Sequence, residues 1–143
     1  MRIDHRGWGP NRIAFNLLGA TGGLAYTLRA EPDSGAVCAI ELAEYEPDGA
    51  VVDVVALAPM AAQALANVLE MPNASDLALA NPETGTLTIE RTYEGLITVT
   101  DTETGRSVDI AEIPEERRAL AHALRRTAHG VQHFQNARVA EAA

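Results

Sequence analysis

Few residues in this chain have types and spacings that could do chemistry together. His129-Gly-Val-Gln-His133 places two imidazoles at i and i+4, on one side of a helix, as a pair of metal ligands would be. The glutamate of a metalloprotease motif is absent, and a third ligand would have to come from His122, seven residues upstream. Neighbouring arginines oppose a cation as well, so no metal site is expected. Cys38 alternates with Ile40 and Leu42, which puts it on the core side of a strand, away from any base. Ser34, Ser75 and Ser107 stand at turns or strand starts without a G-x-S-x-G context. Glu44 and Glu46 are two apart on a strand, so they are expected to share a face and to meet solvent. Gly19-Ala-Thr-Gly22-Gly23 joins two strands where a phosphate loop would open a helix. The residues therefore point to a chain without catalytic residues or cofactor.

Recognition is the chemistry that remains. At 100° per residue, Leu120, Leu124, Thr127, Val131 and Phe134 form one side of a helix, and Arg118, His122, Arg125, Arg126, His129 and His133 lie opposite. This basic side reads as a solvated helix face or as a docking surface for an acidic partner. That partner could be another protein, a second copy of this chain, or phosphate. Histidines charge near about pH 6, which would strengthen such docking. An earlier helix, Met60 to Leu69, is apolar almost all round, with only Gln63, Asn67 and Glu70 as a polar line. A helix of that kind needs cover on most sides, so Met60, Ala62, Ala66 and Leu69 are expected to line the seam of a homo-oligomer, simplest as a dimer. Trp8 lies in Gly7-Trp8-Gly9-Pro10, where it either packs a terminal arm onto the domain or serves as an exposed anchor.

The elements that position these residues follow from composition and pattern. The chain has 143 residues, of which 47% are apolar, enough for one domain with a real core. No window approaches the roughly 18 apolar residues of a membrane span. Met1 to Pro10 lacks the apolar stretch of a secretory signal, and one cysteine permits no intrachain disulfide. A reducing cytoplasm is the expected compartment. The net charge of −9 is uneven: residues 1–30 carry four arginines against one acid, and residues 31–112 carry sixteen acids against two arginines. Residues 113–143 carry five arginines against three acids, and lysine is absent throughout, as expected of a GC-rich genome.

Two segments superpose along the sequence. Pro59, Ala64-Leu65-Ala66 and Leu69 match Pro114, Ala119-Leu120-Ala121 and Leu124 at constant offsets, and upstream Gly49 and Val52-Asp53 answer Gly105 and Val108-Asp109. In the first copy, strands are expected at Ile13 to Leu17, Leu24 to Leu28, Ala36 to Glu46 and Val51 to Leu57. In the second they are expected at Asp76 to Ala80, Thr86 to Tyr93, Leu96 to Thr100 and Ser107 to Ile113. The connections are short and rich in Gly, Pro and Asp, and Pro59 and Pro114 each suit the first turn of a helix. The expected architecture is α+β: two tandem repeats of a four-stranded antiparallel meander sheet followed by a helix, each sheet covered by its own helix, within one domain, 1–143. Residues 1–11 form an N-terminal arm, 12–71 the first repeat, 75–135 the second, and 136–143 a tail that frays.

Four antiparallel strands and a helix, repeated once, resemble the Whirly, PUR-repeat and transcriptional-coactivator group of folds. The segments that carry the resemblance are Gly35 to Tyr45 with Val51 to Leu69, and Thr86 to Leu124. The resemblance implies a pseudo-twofold domain and binding of single-stranded nucleic acid across the sheets; acidic members of such architecture act through protein contacts. Nucleic-acid binding would need arginines and rings on the strands, whereas Thr86, Thr88, Glu90, Thr98 and Thr100 mark the second sheet and Glu41, Glu44, Glu46 and Asp53 the first. Charge therefore disfavours nucleic acid, and a protein interaction or regulatory role is expected. A variant of that role is mimicry of a nucleic acid; the alternatives are single-strand nucleic-acid binding carried by the arginine helix and the N-terminal arm, and an enzyme whose site these motifs do not reveal.

Overall fold

Alternation of apolar and polar residues builds nine strands among the described residues. The structure, a computed structural model, describes residues 1–34, 38–71, 77–81, 85–92, 95–111 and 113–142, with 77–81 and 142 described as backbone. The strands are β1 (Arg2–Trp8), β2 (Ile13–Leu18), β3 (Leu24–Ala30), β4 (Ile40–Tyr45), β5 (Val51–Leu57), β6 (Leu77–Asn81), β7 (Gly85–Arg91), β8 (Leu96–Asp101) and β9 (Ser107–Ala111). Helix α1 (Pro59–Glu70) follows β5, helix α2 (Pro114–Ala142) follows β9, and a single 3-10 turn spans Pro32–Ser34. The fold is α+β. Both sheets are antiparallel meanders in chain order, β1-β2-β3-β4-β5 and β6-β7-β8-β9. The expected start of the third strand at Ala36 and the turn through 82–84 lie outside the described residues, as does Ser75. No helix among the described residues is long and apolar enough to cross a membrane.

Most of the N-terminal arm, residues 1–11, forms a strand. Arg2 to Trp8 pairs with β2 as the edge strand of the first sheet, with Arg2 opposite Leu18 and Trp8 opposite Ile13. An irregularity between His5 and Gly7 and the Arg2–Asp4–Arg6 charges guard the free edge. The expected tail differs too. Helix α2 continues through Ala142, and Arg138 donates from Nη1 to the Asp33 carbonyl at 3.2 Å, tying its last turns to the 3-10 segment.

The expectation that each helix covers its own sheet fails. Helix α2 packs on β1, β2 and β3 of the first sheet, and the main neighbour of α1 is α2. The reason lies in side-chain size. Ala61, Ala62 and Ala66 on α1 and Ala121, Ala123 and Ala128 on α2 are buried, so the two helices pair through small residues. Leu120, Leu124 and Val131 then reach the same core as Ile13, Phe15, Leu17, Leu28, Leu42 and Leu57. Leu87, Ile89, Ile97, Val99, Val108 and Ile110 of the second sheet complete it. Each such side chain contributes about 1.5–3 kcal/mol by leaving water.

A polar seam joins the sheets. Tyr26, Glu44 and Asp53 form one cross-strand row over β3, β4 and β5, on the face that carries the core residues. Strand β9 lies across that row. Asp53 Oδ2 accepts the Ser107 amide at 3.0 Å, Glu44 Oε1 accepts the Asp109 amide at 3.0 Å, and the Tyr26 hydroxyl donates to the Asp109 carbonyl at 3.0 Å. Burial pushes the Tyr26 phenol well above its ordinary value, against the opposing pull of the Ala111 amide. Glu44 and Glu46 thus do not share an exposed face: a register shift between Glu44 and Tyr45 leaves Glu44 inside and Glu46 exposed.

Burial, followed by the charges of Asp109, Glu46 and Asp53, raises the Glu44 carboxyl above the usual carboxylate value despite its amide donor. The native chain therefore holds this proton more tightly than the unfolded chain, and Glu44 lowers stability as pH rises through that window. Glu44→Gln keeps an acceptor for Asp109 and removes the ionisation. Denaturant melts from pH 4 upward are expected to show the variant gaining on wild type as pH rises; a difference constant with pH would refute the assignment.

Candidate interaction surface

The first strands of the chain and its last helix meet at Gly130. The β1–β2 register puts Trp8, Ile13 and Phe15 on the side of the first sheet that faces α2. A Cβ on Gly130 would lie 2.6 Å from Trp8 Cη2 and 2.7 Å from Ile13 Cδ1, so only glycine lets the indole rest on the helix. In sequence this glycine reads as a weak point of the helix. In the fold it is the point of closest approach.

Trp8 is held on several sides. Its ring lies edge-on to Phe134 at 5.7 Å and to Phe15 at 6.4 Å, and the Arg126 guanidinium sits 5.2 Å from its centroid. His5 packs on Phe15 at 4.9 Å and His133 on Phe134 at 5.0 Å. The strip His5–Phe15–Trp8–Phe134–His133 is therefore continuous from β1 to α2, and Trp8 still exposes 47% of its surface.

The basic side of α2 divides. Arg118, His122, Arg126, His129 and His133 are exposed, as a partner surface requires. Arg125 is otherwise engaged: Nη1 pairs with the Glu70 carboxylate, and Nη2 donates to Asn67 Oδ1 at 2.8 Å. It ties α2 to the C-terminal turn of α1 and leaves the binding set. Among the described residues no three His, Cys, Asp or Glu side chains converge as a metal site would need.

The expected seam does not hold. Ala62 and Ala66 have 0% exposure within the single chain and Leu69 has 1%, because α2 and the sheets already cover α1. Met60 alone of the four is exposed, at 79%. The apolar circumference of α1 signals a core helix. The Cys38 thiol donates to the Glu31 carbonyl at 3.3 Å and is buried, and the Ser34 hydroxyl donates to the same carbonyl at 2.7 Å.

Compared with models of known protein families, with curated proteins and with solved structures, the chain matches none. The surface must therefore be read from its own chemistry.

Two measurements check this geometry. Gly130→Ala would gain about 1 kcal/mol in an open helix, whereas overpacking against Trp8 and Ile13 costs about 1–3 kcal/mol. A lower Tm and red-shifted emission from the sole tryptophan are expected; a higher Tm with unchanged emission would refute the contact. Ala66→Glu is expected to abolish cooperative thermal unfolding, since it buries a charge between the helices. A folded variant that only dissociates would restore the oligomer seam.

Proposed function

We propose that this chain is a non-catalytic interaction protein whose partner surface is the exposed strip of α2 together with Trp8. The observation that supports it most directly is the half-exposed indole fixed between Gly130, Phe134 and Arg126. Tryptophan and arginine held rigid before binding lose little entropy on contact, and they dominate the energetics of protein interfaces. Arg118, His122, His129 and His133 extend the strip with positive or protonatable groups, so the partner it suits is an acidic protein surface. A second copy of this chain offers one, since residues 31–112 carry sixteen acids. The same charge argues against long nucleic acids as partners, because each phosphate would approach a chain of net charge −9.

On the same reading, β2–β5 with α1 and β6–β9 with α2 are two copies of one duplicated unit, in the manner of the Whirly and PUR-repeat group. The matched order of meander and helix supports this. The copies have diverged most in their helices: α1 became core, and α2 kept one side for recognition.

Light scattering over a concentration series reads self-association. Titration with poly-L-glutamate and with a single-stranded oligonucleotide, followed by Trp8 emission, reads the other partners. A concentration-dependent dimer or a response to polyglutamate is expected, lost in Trp8→Ala and in Arg118→Glu/Arg126→Glu and weakened by salt. A concentration-independent monomer with no response to polyglutamate would overturn the proposal. Tight oligonucleotide binding that survives both variants would overturn it too.

A further inference from the structure

Four arginines have no ion-pair, side-chain hydrogen-bond or ring partner for their guanidinium groups among the described residues: Arg12, Arg29, Arg106 and Arg118. In a chain with twenty acids against eleven arginines, charge balance alone would pair them. Three of the four line two adjoining cavities on the outer face of the first sheet, away from α2. One, of about 660 Å³, is lined by Arg12, Arg29, Glu31, Ser34, Ala39, Glu41 and Ala56, with Ala30. The other, of about 360 Å³, shares Glu41 and Ala56 and ends at Thr104 and Arg106.

The register explains the arrangement. Ala14, Arg29, Glu41 and Ala56 form one cross-strand row over β2, β3, β4 and β5. Arg12 stands two residues before Ala14, so it and Arg29 are diagonal neighbours at the β2 end of the row. Glu41 stands opposite Arg29 in register, yet no ion pair joins them. Alanine side chains at positions 39 and 56 end at Cβ and leave the floor of the depression open. The result is a shallow site in which two arginines, Arg12 and Arg29, stand among two glutamates, Glu31 and Glu41.

We propose that this depression binds a small phosphate monoester of nucleotide size. Arg12 and Arg29 take the phosphate, because guanidinium forks match its oxygens and form charge-assisted hydrogen bonds. Glu41, beside Arg29 in the row, accepts a hydrogen bond from an amino group of the ligand, as carboxylates do from the exocyclic amine of cytosine. The ring lies over Ala39 and Ala56. The larger cavity has the size usual for ligand sites, about 300–1,000 Å³. Size also decides against a polymer: a small ligand with a phosphate and an amino group can meet the arginines with one end and a carboxylate with the other, whereas a long polyanion would have to cross Glu31, Glu41 and the acidic field of the chain. The site is on the face of the sheet opposite Trp8, and its occupancy is independent of the α2 surface.

The test is isothermal titration calorimetry of the whole chain with cytidine 5′-monophosphate, inorganic phosphate and cytidine as separate probes. Arg12→Ala, Arg29→Ala and Glu41→Gln alter exposed side chains, and circular dichroism checks that each variant folds. Saturable binding of the nucleotide is expected, at least about tenfold weaker in either arginine variant, given the strength of a charge-assisted hydrogen bond. Phosphate and cytidine alone should each bind more weakly than the nucleotide. Glu41→Gln should erase the advantage of the nucleotide over phosphate without weakening phosphate. Arg118→Ala, on α2, should change nothing. Absence of saturable binding, phosphate binding as tight as the nucleotide, or nucleotide binding that survives loss of both Arg12 and Arg29 would each overturn the proposal.

Discussion

Strand β9 is the last of its sheet, and the outward backbone groups of Ser107 and Asp109 have no strand to pair with. The first sheet supplies their partners from one cross-strand row: Asp53, Glu44 and Tyr26. Buried backbone groups left unpaired would cost about 1–3 kcal/mol each. The row therefore sets where the second sheet can lie. Because the row runs across β3, β4 and β5 while β9 follows it, the two sheets meet edge to face, with β9 crossing the strands of the first sheet. That placement closes the core under Val108 and Ile110. It also concentrates acid at one place, and Glu44 responds with a raised affinity for its proton.

With the second sheet held at that angle, α2 does not lie back on the strands that precede it. It crosses to the first sheet, pairs with α1 through alanines, and meets β1 at Gly130. One missing Cβ lets a strand at the start of the chain and a helix at its end touch through an indole. The same contact exposes half of Trp8 beside Arg126. The core packing that closes the fold and the surface proposed for recognition are thus two sides of one junction.

The arginines sort by what they meet. Arg125 and Arg138 fasten α2 to α1 and to the 3-10 segment, and Arg2 and Arg6 hold Asp4 on the edge strand. Arg126 covers an aromatic face. Arg12 and Arg29 are left on the outer face of the first sheet, and Arg106, in the β8–β9 turn, lines the cavity that adjoins it. Helical periodicity grouped Arg125 with Arg118 and Arg126 because an angle around a helix does not reveal which neighbour stands beside it.

The sequence by itself determined the class of the fold, the strand segments from Ile13 onward and both helix starts. Alternation at Ile13 to Leu17 and Leu96 to Thr100, turn residues such as Pro47-Asp48-Gly49, and proline at positions 59 and 114 act over a few residues, where local sterics decide. Beyond that range it was silent or misleading. Glycine and proline marked an arm without revealing its edge strand, and an all-apolar helix suggested an oligomer seam where the chain covered itself. Glu44 and Glu46 looked equivalent until a register shift separated them. The meeting of Trp8 with Gly130, the capping of β9 by Tyr26, Glu44 and Asp53, and the alignment of Arg12 with Arg29 were decided only by tertiary structure. Each depends on which distant backbone group or side chain fills the space beside a residue, and no local pattern encodes that.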